Sequence, residues 1–368
     1  MGSDFSRHGS PMKPSERTGY LQPVTDPERT RRDLRRLLVA GPIDDRDLER
    51  RIASLDRDFR AYAATVPFGL WGEGLVITAE MRAATDLLLP LAEVRRAFRR
   101  LLRLSLSVAS SLDGTPLGAA ASWPDCLARL DPPFREGNPA RLLARLAADG
   151  ELRTRFLFSL FVPRRHGANP ARYPAQGDFL RRWLRAAGPR RGNPLRCLDA
   201  ACGAGEGTYG LARLLLEAGF APDAFSIVGA SRDPIEIFAA VHGFFPHDPA
   251  RQEAFRLLRE ELRAAGTLGR LRFATEELTE KAREPETFDV ILCNGILGGP
   301  FLHGRRELER AAAELAGRLA AGGIILAADH FHGGWKRAAP SGMLGEILAG
   351  QGLSVTVAGE GIAGIRGG

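Results

Sequence analysis

A glycine-rich loop carries the most explicit chemistry in this sequence. It runs Asp199-Ala-Ala-Cys-Gly203-Ala-Gly205-Glu-Gly207, between a strand-like run ending at Leu198 and a helical pattern starting at Tyr209. Glycines let the chain turn sharply and let a ligand lie against bare main chain, while the helix N-terminus offers free N–H groups. The G-x-G-x-G spacing differs from the dinucleotide fingerprint, and without a lysine the loop is not a P-loop. The sequence therefore predicts a small-ligand site outside those two classes.

The string D-x-x-x-G-x-G-x-G resembles motif I of class I S-adenosylmethionine-dependent methyltransferases. In detail, Ala201-Cys-Gly-Ala-Gly205-Glu-Gly-Thr-Tyr209-Gly-Leu-Ala is similar to the chemotaxis glutamate O-methyltransferase version, A-C-S-x-G-E-x-x-Y-S-x-A. The run Phe288-Asp-Val-Ile-Leu-Cys-Asn294 is likewise similar to that family's F-D-V-I-F-C-R-N, although the Arg-Asn pair is missing. Nothing matches the inserted β-subdomain that docks on chemoreceptors. The resemblance implies S-adenosylmethionine as cofactor, with the loop holding its methionine part.

The same resemblance assigns cofactor-binding positions along the chain. They are Asp199, Ala201, Gly203, Gly205, Glu206, Ser231, Arg232, Glu277, Leu278, Asn294 and Arg172. Glu206 would accept a hydrogen bond from the cofactor's amino group, and Glu277 would lie near the adenine amino group. The family's ribose-binding acid falls on Ser231, which offers fewer acceptor sites than a carboxylate. Asp233 could take its place or could cap the next helix, with Pro234 at the first helical position.

Methyl transfer from a sulfonium is an in-line displacement, for which positioning and exclusion of water supply much of the rate. A carboxylate acceptor needs no general base, whereas a hydroxyl or amine benefits from one. Asn294 and His330 are the catalytic candidates because both follow predicted strands at the ligand-binding edge. His330 and His332 form an H-x-H pair without a convincing third ligand, so no metal site is predicted.

Alternating short β-type runs and helical patterns must position these residues. The predicted strands are Arg196–Ala200, Phe225–Ala230, Leu271–Ala274, Phe288–Cys293, Gly323–Ala328, Leu353–Ala358 and Gly361–Arg366. Helical patterns over Tyr209–Ala218 and Arg306–Ala320 separate some of them, which predicts βαβ units. The fold class is α/β, a doubly wound, mostly parallel seven-stranded Rossmann-like methyltransferase sheet after an all-α N-terminal domain. The predicted boundaries are 1–26 for a disordered tail, 27–165 for the helical domain and 166–368 for the core.

The helical domain is predicted from apolar residues at helical spacing. Asp44–Thr65, Thr78–Leu112 and Asn138–Leu160 show such patterns, the second interrupted at Pro90. We expect this domain to cover the substrate side of the core.

Charge is distributed unevenly along the 368 residues, whose net charge is +7. Residues 151–200 hold 11 arginines against three acids. Three interpretations compete for this arginine band: solvated helix faces, arginines such as Arg172 that hold an anionic acceptor or the cofactor carboxylate, and contact with RNA. A protein or small-molecule acceptor is favoured over RNA, because no RNA-binding module is recognisable. A non-catalytic cofactor binder is the contrary class.

Compartment and partners are indicated only coarsely. The four cysteines show no C-x-x-C spacing, which fits a reducing environment. No run approaches the roughly 20 apolar residues of a membrane span, and the first residues contain no signal-peptide core. We therefore expect a cytoplasmic protein without membrane insertion, and the sequence does not indicate an oligomeric state.

Overall fold

The computed structural model describes residues 19–65, 75–164, 172–187, 194–281, 286–298, 302–328 and 339–368. Seven strands form one sheet in the order β3-β2-β1-β4-β5-β7-β6. They are β1 (Leu195–Asp199), β2 (Phe225–Ser231), β3 (Leu271–Thr275), β4 (Phe288–Leu292), β5 (Leu319–Ala327), β6 (Leu353–Ala358) and β7 (Gly361–Arg366). The first five strands pair in parallel, and β7 runs antiparallel to both of its neighbours. The predicted fold class is confirmed.

The predicted boundary between the last helix before β5 and β5 itself is wrong. The helix predicted over Arg306–Ala320 ends earlier, at Gly317, and β5 begins at Leu319 rather than at Gly323. Leu319 pairs with Phe288 of β4 before the register shifts between Phe288 and Val290. Strand pairing therefore overrides the helical pattern of these alanine-rich residues.

Helices cover both faces of the sheet. Those that follow the first strand are α10 (Glu206–Glu217), α11 (Pro234–His242), α12 (Pro249–Ala264), α13 (Arg305–Gly317) and α14 (Ser341–Gly350). Asp233 caps α11 by accepting a hydrogen bond from the backbone N–H of Ile235 at 2.8 Å. Of the two roles that the sequence suggested for Asp233, the structure shows the helix cap.

The region before the sheet is helical, as predicted. Its helices are α1 (Pro27–Leu37), α2 (Arg46–Thr65), α3 (Ala79–Leu88), α4 (Leu91–Ser105), α5 (Pro116–Ala119), α6 (Trp123–Arg129), α7 (Pro139–Ala148), α8 (Gly150–Phe161) and α9 (Pro174–Ala187). The pattern over Asn138–Leu160 splits into α7 and α8, because Asp149 accepts hydrogen bonds from the N–H groups of Glu151 and Leu152 and so starts a new helix.

The segment predicted as a disordered tail, 1–26, is described from residue 19 onward. Leu21 exchanges two 2.8 Å backbone hydrogen bonds with Phe273, and Val24 is buried. Strand β3 is the edge of the sheet, so its open N–H and C=O groups offer pairing to a passing chain. These last residues of the segment therefore belong to the fold, whereas 1–18 lie outside the described residues.

The helical region and one face of the sheet share a hydrophobic core. Phe158 of α8 packs edge-on against Phe238 of α11, with ring centroids 5.9 Å apart, and against Phe244 at 5.1 Å. A second core lies between the other face and helices α13 and α14. Within the described stretches, no helix is both long and apolar enough to cross a membrane.

Candidate functional site

A cavity of about 1190 Å³ lies at the carboxyl ends of the central strands. Its lining includes Asp199 at the end of β1, Ser231 at the end of β2 and Asn294 after β4. Strand β1 pairs with β2 on one side and with β4 on the other, so the cavity sits where the strand order reverses. Ligands of open α/β sheets bind at this point of the topology.

The glycine loop turns into α10 through left-handed backbone conformations. Gly203 has φ +52° and Gly205 has φ +95°, a region that L side chains rarely adopt. A Cβ on Gly205 would lie 2.9 Å from Cβ of Ala240 in α11, so this position also lacks room for a side chain. Among the described residues, no side chain caps the N-terminus of α10 by a hydrogen bond.

Asp199 is buried directly behind this turn. Its Oδ2 accepts a 2.8 Å hydrogen bond from Thr208 Oγ1 in the first turn of α10. Gly207 makes this approach possible, because a Cβ there would lie 2.8 Å from the same oxygen. Burial raises the pKa of Asp199 to about 6, since the charged form loses its hydration.

Glu206 already has a protein partner. Arg251 of α12 donates to Glu206 Oε1, and its guanidinium lies 4.5 Å from the ring centroid of Phe245. Burial raises the pKa of Glu206, and the charge of Arg251 opposes that shift. Only part of this carboxylate is therefore open to the amino group predicted for it. The sequence contains no indication that Arg251 is the partner of Glu206, because Arg251 lies 45 residues away in a region without a motif.

Ser231 also has an unforeseen partner. Its hydroxyl donates to Glu236 in the first turn of α11, and both side chains line the cavity. Burial raises the pKa of Glu236 to about 7. Asp233, the alternative ribose ligand, instead caps α11 and accepts a 3.0 Å hydrogen bond from Ser110.

The other predicted cofactor positions are distributed around the same cavity. Arg232 is exposed and reaches the carbonyl of Asp113 at 3.4 Å. Glu277 accepts a 3.0 Å hydrogen bond from Thr279 Oγ1, while Leu278 is buried. Ala201 lines the cavity as well.

Asn294 forms a reciprocal amide pair with Gln176 of α9. Asn294 Nδ2 donates to Gln176 Oε1 at 2.8 Å, and Gln176 Nε2 donates to Asn294 Oδ1 at 3.1 Å. The backbone N–H of Gln176 is held by Glu360 of the β6–β7 turn at 2.8 Å. Neither Gln176 nor Glu360 carries a sequence signal, since each is distant from Asn294 along the chain. His330, the other catalytic candidate, lies outside the described residues.

Part of the cavity wall comes from the helical region. The segment between α4 and α5 contributes Ser110, Ser111, Asp113 and Thr115 to the lining. Arg172 and Tyr173, before α9, line another part. Burial raises the pKa of Glu206, and the charge of Arg172 opposes that shift, as the charge of Arg251 does.

Several described arginines of the arginine band have partners within the protein. Arg153 is buried and donates to the carbonyls of Leu146, Val39 and Gly41 at 2.6–2.8 Å. None of the three sequence interpretations fits Arg153, which instead satisfies the backbone of helix ends and a loop. Arg181 pairs with Asp178 and Glu217. Arg165, Arg190 and Arg191 lie outside the described residues.

Comparison with known proteins finds likeness in solved structures only. No family model and no curated protein sequence matches the chain. A TehB-like S-adenosylmethionine-dependent methyltransferase from Corynebacterium glutamicum is 19% identical, with 52% of this chain and 85% of that chain covered and a TM-score of 0.33. The N-methyltransferase NodS from Bradyrhizobium japonicum, solved with S-adenosyl-l-homocysteine, is 17% identical, with 60% and 99% covered and a TM-score of 0.37. The sugar N-methyltransferase KedS8 from Streptoalloteichus is 17% identical, with 56% and 91% covered and a TM-score of 0.36.

These structural likenesses carry no argument about function, because every TM-score is far below 0.5. The strand order, the antiparallel β7 and the cavity at the sheet reversal define a doubly wound, Rossmann-like α/β fold with a ligand-sized cavity.

Proposed function

We propose that this protein is an S-adenosylmethionine-dependent methyltransferase acting on a protein or small-molecule acceptor. The observation that carries the proposal is a left-handed glycine turn opening onto a cavity lined with the carboxyl groups of Asp199, Glu206 and Glu236. S-adenosylmethionine carries a sulfonium and an ammonium group, which neighbouring carboxylates attract. The pyrophosphate of a dinucleotide would be repelled by the same groups.

The residues that line the cavity are chemically suited to each part of this cofactor. The amino group would meet the open oxygen of Glu206, and Arg172 would hold the carboxylate end. Glu277 and Leu278, after β3, would border the adenine. The cavity, at about 1190 Å³, exceeds the roughly 300–1,000 Å³ of ordinary ligand pockets and leaves room for an acceptor beside the cofactor.

The cofactor, when bound, supplies an electrophilic methyl group for in-line displacement. The contribution of the chain is to hold the acceptor on that line and to exclude water. The amide pair of Asn294 and Gln176 is suited to orienting the acceptor, because it stands after β4 and offers both donors and acceptors. The second catalytic role, for His330, stays a prediction.

The finer assignment, a methyltransferase of the chemotaxis glutamate type with a carboxylate acceptor, is supported by the motif at 201–212 and by the partial similarity at 288–294. An RNA acceptor is the second candidate, motivated by the arginine band. The internal pairing of Arg153 and Arg181 weakens it, because these side chains already have partners in the protein.

Transfer of a labelled methyl group tests the activity. The protein is incubated with methyl-labelled S-adenosylmethionine and fractionated lysate, and labelled material is then treated with protease or ribonuclease. We expect label in a protease-sensitive or small-molecule fraction, reduced at least about tenfold by Asn294→Ala. Ribonuclease-sensitive label would favour the RNA acceptor. Normal cofactor binding without any transfer would favour the non-catalytic binder.

A further inference from the structure

The end of β2 presents a serine where a ribose would be bound. The two neighbouring hydroxyls of a ribose can each donate a hydrogen bond, and one carboxylate can accept both of them. Ser231 has a single oxygen, and its proton is already directed at Glu236. A second acceptor is therefore required next to Ser231 if this position is to hold both hydroxyls.

Glu236 occupies the place of such an acceptor. One carboxylate oxygen, Oε2, receives the Ser231 hydroxyl. The other, Oε1, lies 4.0 Å from the point where a Cβ on Gly203 would stand, so the carboxylate lies between the glycine turn and the end of β2. This Oε1 accepts no hydrogen bond from any residue that the structure describes, and Glu236 lines the cavity.

A purely structural role of Glu236 in capping α11 does not explain this arrangement. The spacing Asp233-x-x-Glu236 is that of a capping box, in which the glutamate accepts a hydrogen bond from the N–H of the cap residue. Here the N–H of Asp233 points to Ser231 Oγ at 3.3 Å, and the Asp233 side chain caps Ile235. The Glu236 carboxylate is thus directed away from the helix end and toward the cavity.

We propose that Ser231 and Glu236 act together as the ribose-binding group of this protein. Glu236 Oε1 accepts a hydrogen bond from one ribose hydroxyl, and Ser231 Oγ accepts one from the other while its own proton stays on Glu236. The pair restores the two acceptors that a carboxylate at position 231 would supply. This inference rests on the proposed function.

The charge of Glu236 makes the interaction dependent on pH. The titratable and charged groups that face it are Asp233 of the same helix, Arg232 after β2, and Cys202 and Glu206 of the glycine loop. Burial and the charges of Asp233 and Glu206 raise its pKa to about 7, against the opposing effects of Ser231 and Arg232. Both oxygens of Glu236 can accept hydrogen bonds only when its carboxyl group is ionised. The affinity for the ribose-containing ligand should therefore rise with pH through neutrality, and binding near pH 7 should release protons from Glu236.

Calorimetric titrations of the full chain test the ribose assignment by changing the Glu236 side chain and the hydroxyl groups of the ligand in turn. S-adenosylhomocysteine and its 2′-deoxy and 3′-deoxy analogues are titrated into wild type and Glu236→Gln. We expect Glu236→Gln to weaken S-adenosylhomocysteine about 10- to 100-fold, the range for a hydrogen bond to a charged group. For the analogue that lacks the hydroxyl bound by Glu236, the same substitution should have less than about threefold effect. Proton release at pH 7, measured in buffers of different ionisation enthalpy, should fall in Glu236→Gln.

Two further variants separate ribose binding from general electrostatics and from folding. Glu280→Gln removes a charge from the same cavity lining without touching Ser231, and we expect affinity to stay within about threefold. Ser231→Asp/Glu236→Gln places a carboxylate at the end of β2 and should recover most of the affinity lost in Glu236→Gln. A merely structural Glu236 would not be rescued in this way.

The outcomes distinguish failure of the ribose assignment from failure of the cofactor proposal. Equal losses for the parent ligand and both deoxy analogues, or no rescue by the double variant, would overturn the ribose assignment while leaving the cofactor proposal intact. Absence of S-adenosylhomocysteine binding to wild type would instead overturn the proposed function, and the ribose assignment with it.

Discussion

The buried ion pair between Glu206 and Arg251 ties the start of α10 to the start of α12 at the cavity wall. Only 13% of the Glu206 side chain and 5% of the Arg251 side chain are exposed. A buried charge left without its partner is costly, because protein cannot replace the lost hydration.

Arg251→Met is therefore expected to destabilise the fold by about 3–5 kcal/mol. Arg256→Met, on the same helix, removes an exposed arginine paired with Glu253 and Glu260 and should cost about 0–1 kcal/mol. Urea unfolding of both variants measures the difference. Equal free energies of unfolding would mean that the Glu206 charge is solvated in the protein.

The raised pKa of Asp199 should make the free energy of unfolding depend on pH. Its pKa is about 6 in the folded protein against 3.8 ordinarily, so the folded state binds the extra proton between these values. In the protein without cofactor, the contribution of Asp199 to the free energy of unfolding is fully present below about pH 4. This contribution is lost as the pH rises to about 6. Asp199→Asn should remove this part of the slope, on the order of 3 kcal/mol.

Urea unfolding between pH 4 and 7 measures the slope for Asp199→Asn. Asp223→Asn, at an exposed position, is the control and should leave the slope of wild type unchanged. A slope of the same size in Asp199→Asn would show that other groups cause it.

At the scale of elements, Arg153 holds the helical region together. Its guanidinium joins the carbonyl end of α7 to the link between α1 and α2. Arg153→Met leaves several buried carbonyls without a donor and should cost about 2–5 kcal/mol. Arg155→Met, two residues later on an exposed position of α8, should stay within about 0.5 kcal/mol. Similar thermal midpoints for the two variants would contradict this role.

Elements could be located from the sequence because their patterns are local. All seven strands overlap the apolar β-type runs that predicted them, although β5 begins earlier than predicted, and Pro90 separates α3 from α4. The partners in the site could not be located in this way. Arg251 and Gln176 reach the cavity only through tertiary packing, as does Glu360 in reaching Gln176, and nothing in their neighbouring residues indicates it. Glu236 had one signal, its capping-box spacing from Asp233, but that pattern indicates a helix start rather than a ligand.

At the scale of the whole molecule, the helical region and the sheet share buried side chains. Phe158 of α8 contacts rings of α11 and of the following turn, in a cluster that continues to β1, β2 and β3. The division into two domains at residue 165 stays a prediction. The shared core has a consequence for unfolding. The parts should not unfold independently.

Hydrogen exchange in increasing denaturant measures this coupling. Amides of α8 and of β2 should lose protection at the same denaturant concentration. Loss in α8 well before β2 would show two independent folding units. In that case the α4–α5 segment would line the cavity without sharing its stability.

The central claim is that the glycine turn binds S-adenosylmethionine. Calorimetric titration of S-adenosylhomocysteine into wild type, Gly203→Ala and Gly219→Ala tests it most directly. Both glycines have positive φ, +52° and +92°, but Gly203 lines the cavity, with an added Cβ 4.0 Å from Glu236 Oε1, whereas a Cβ at 219 meets nothing within 4 Å. We predict micromolar binding to wild type and Gly219→Ala, and at least about tenfold weaker binding to Gly203→Ala. No binding below about 1 mM, or equal affinity of the two variants, would contradict the account.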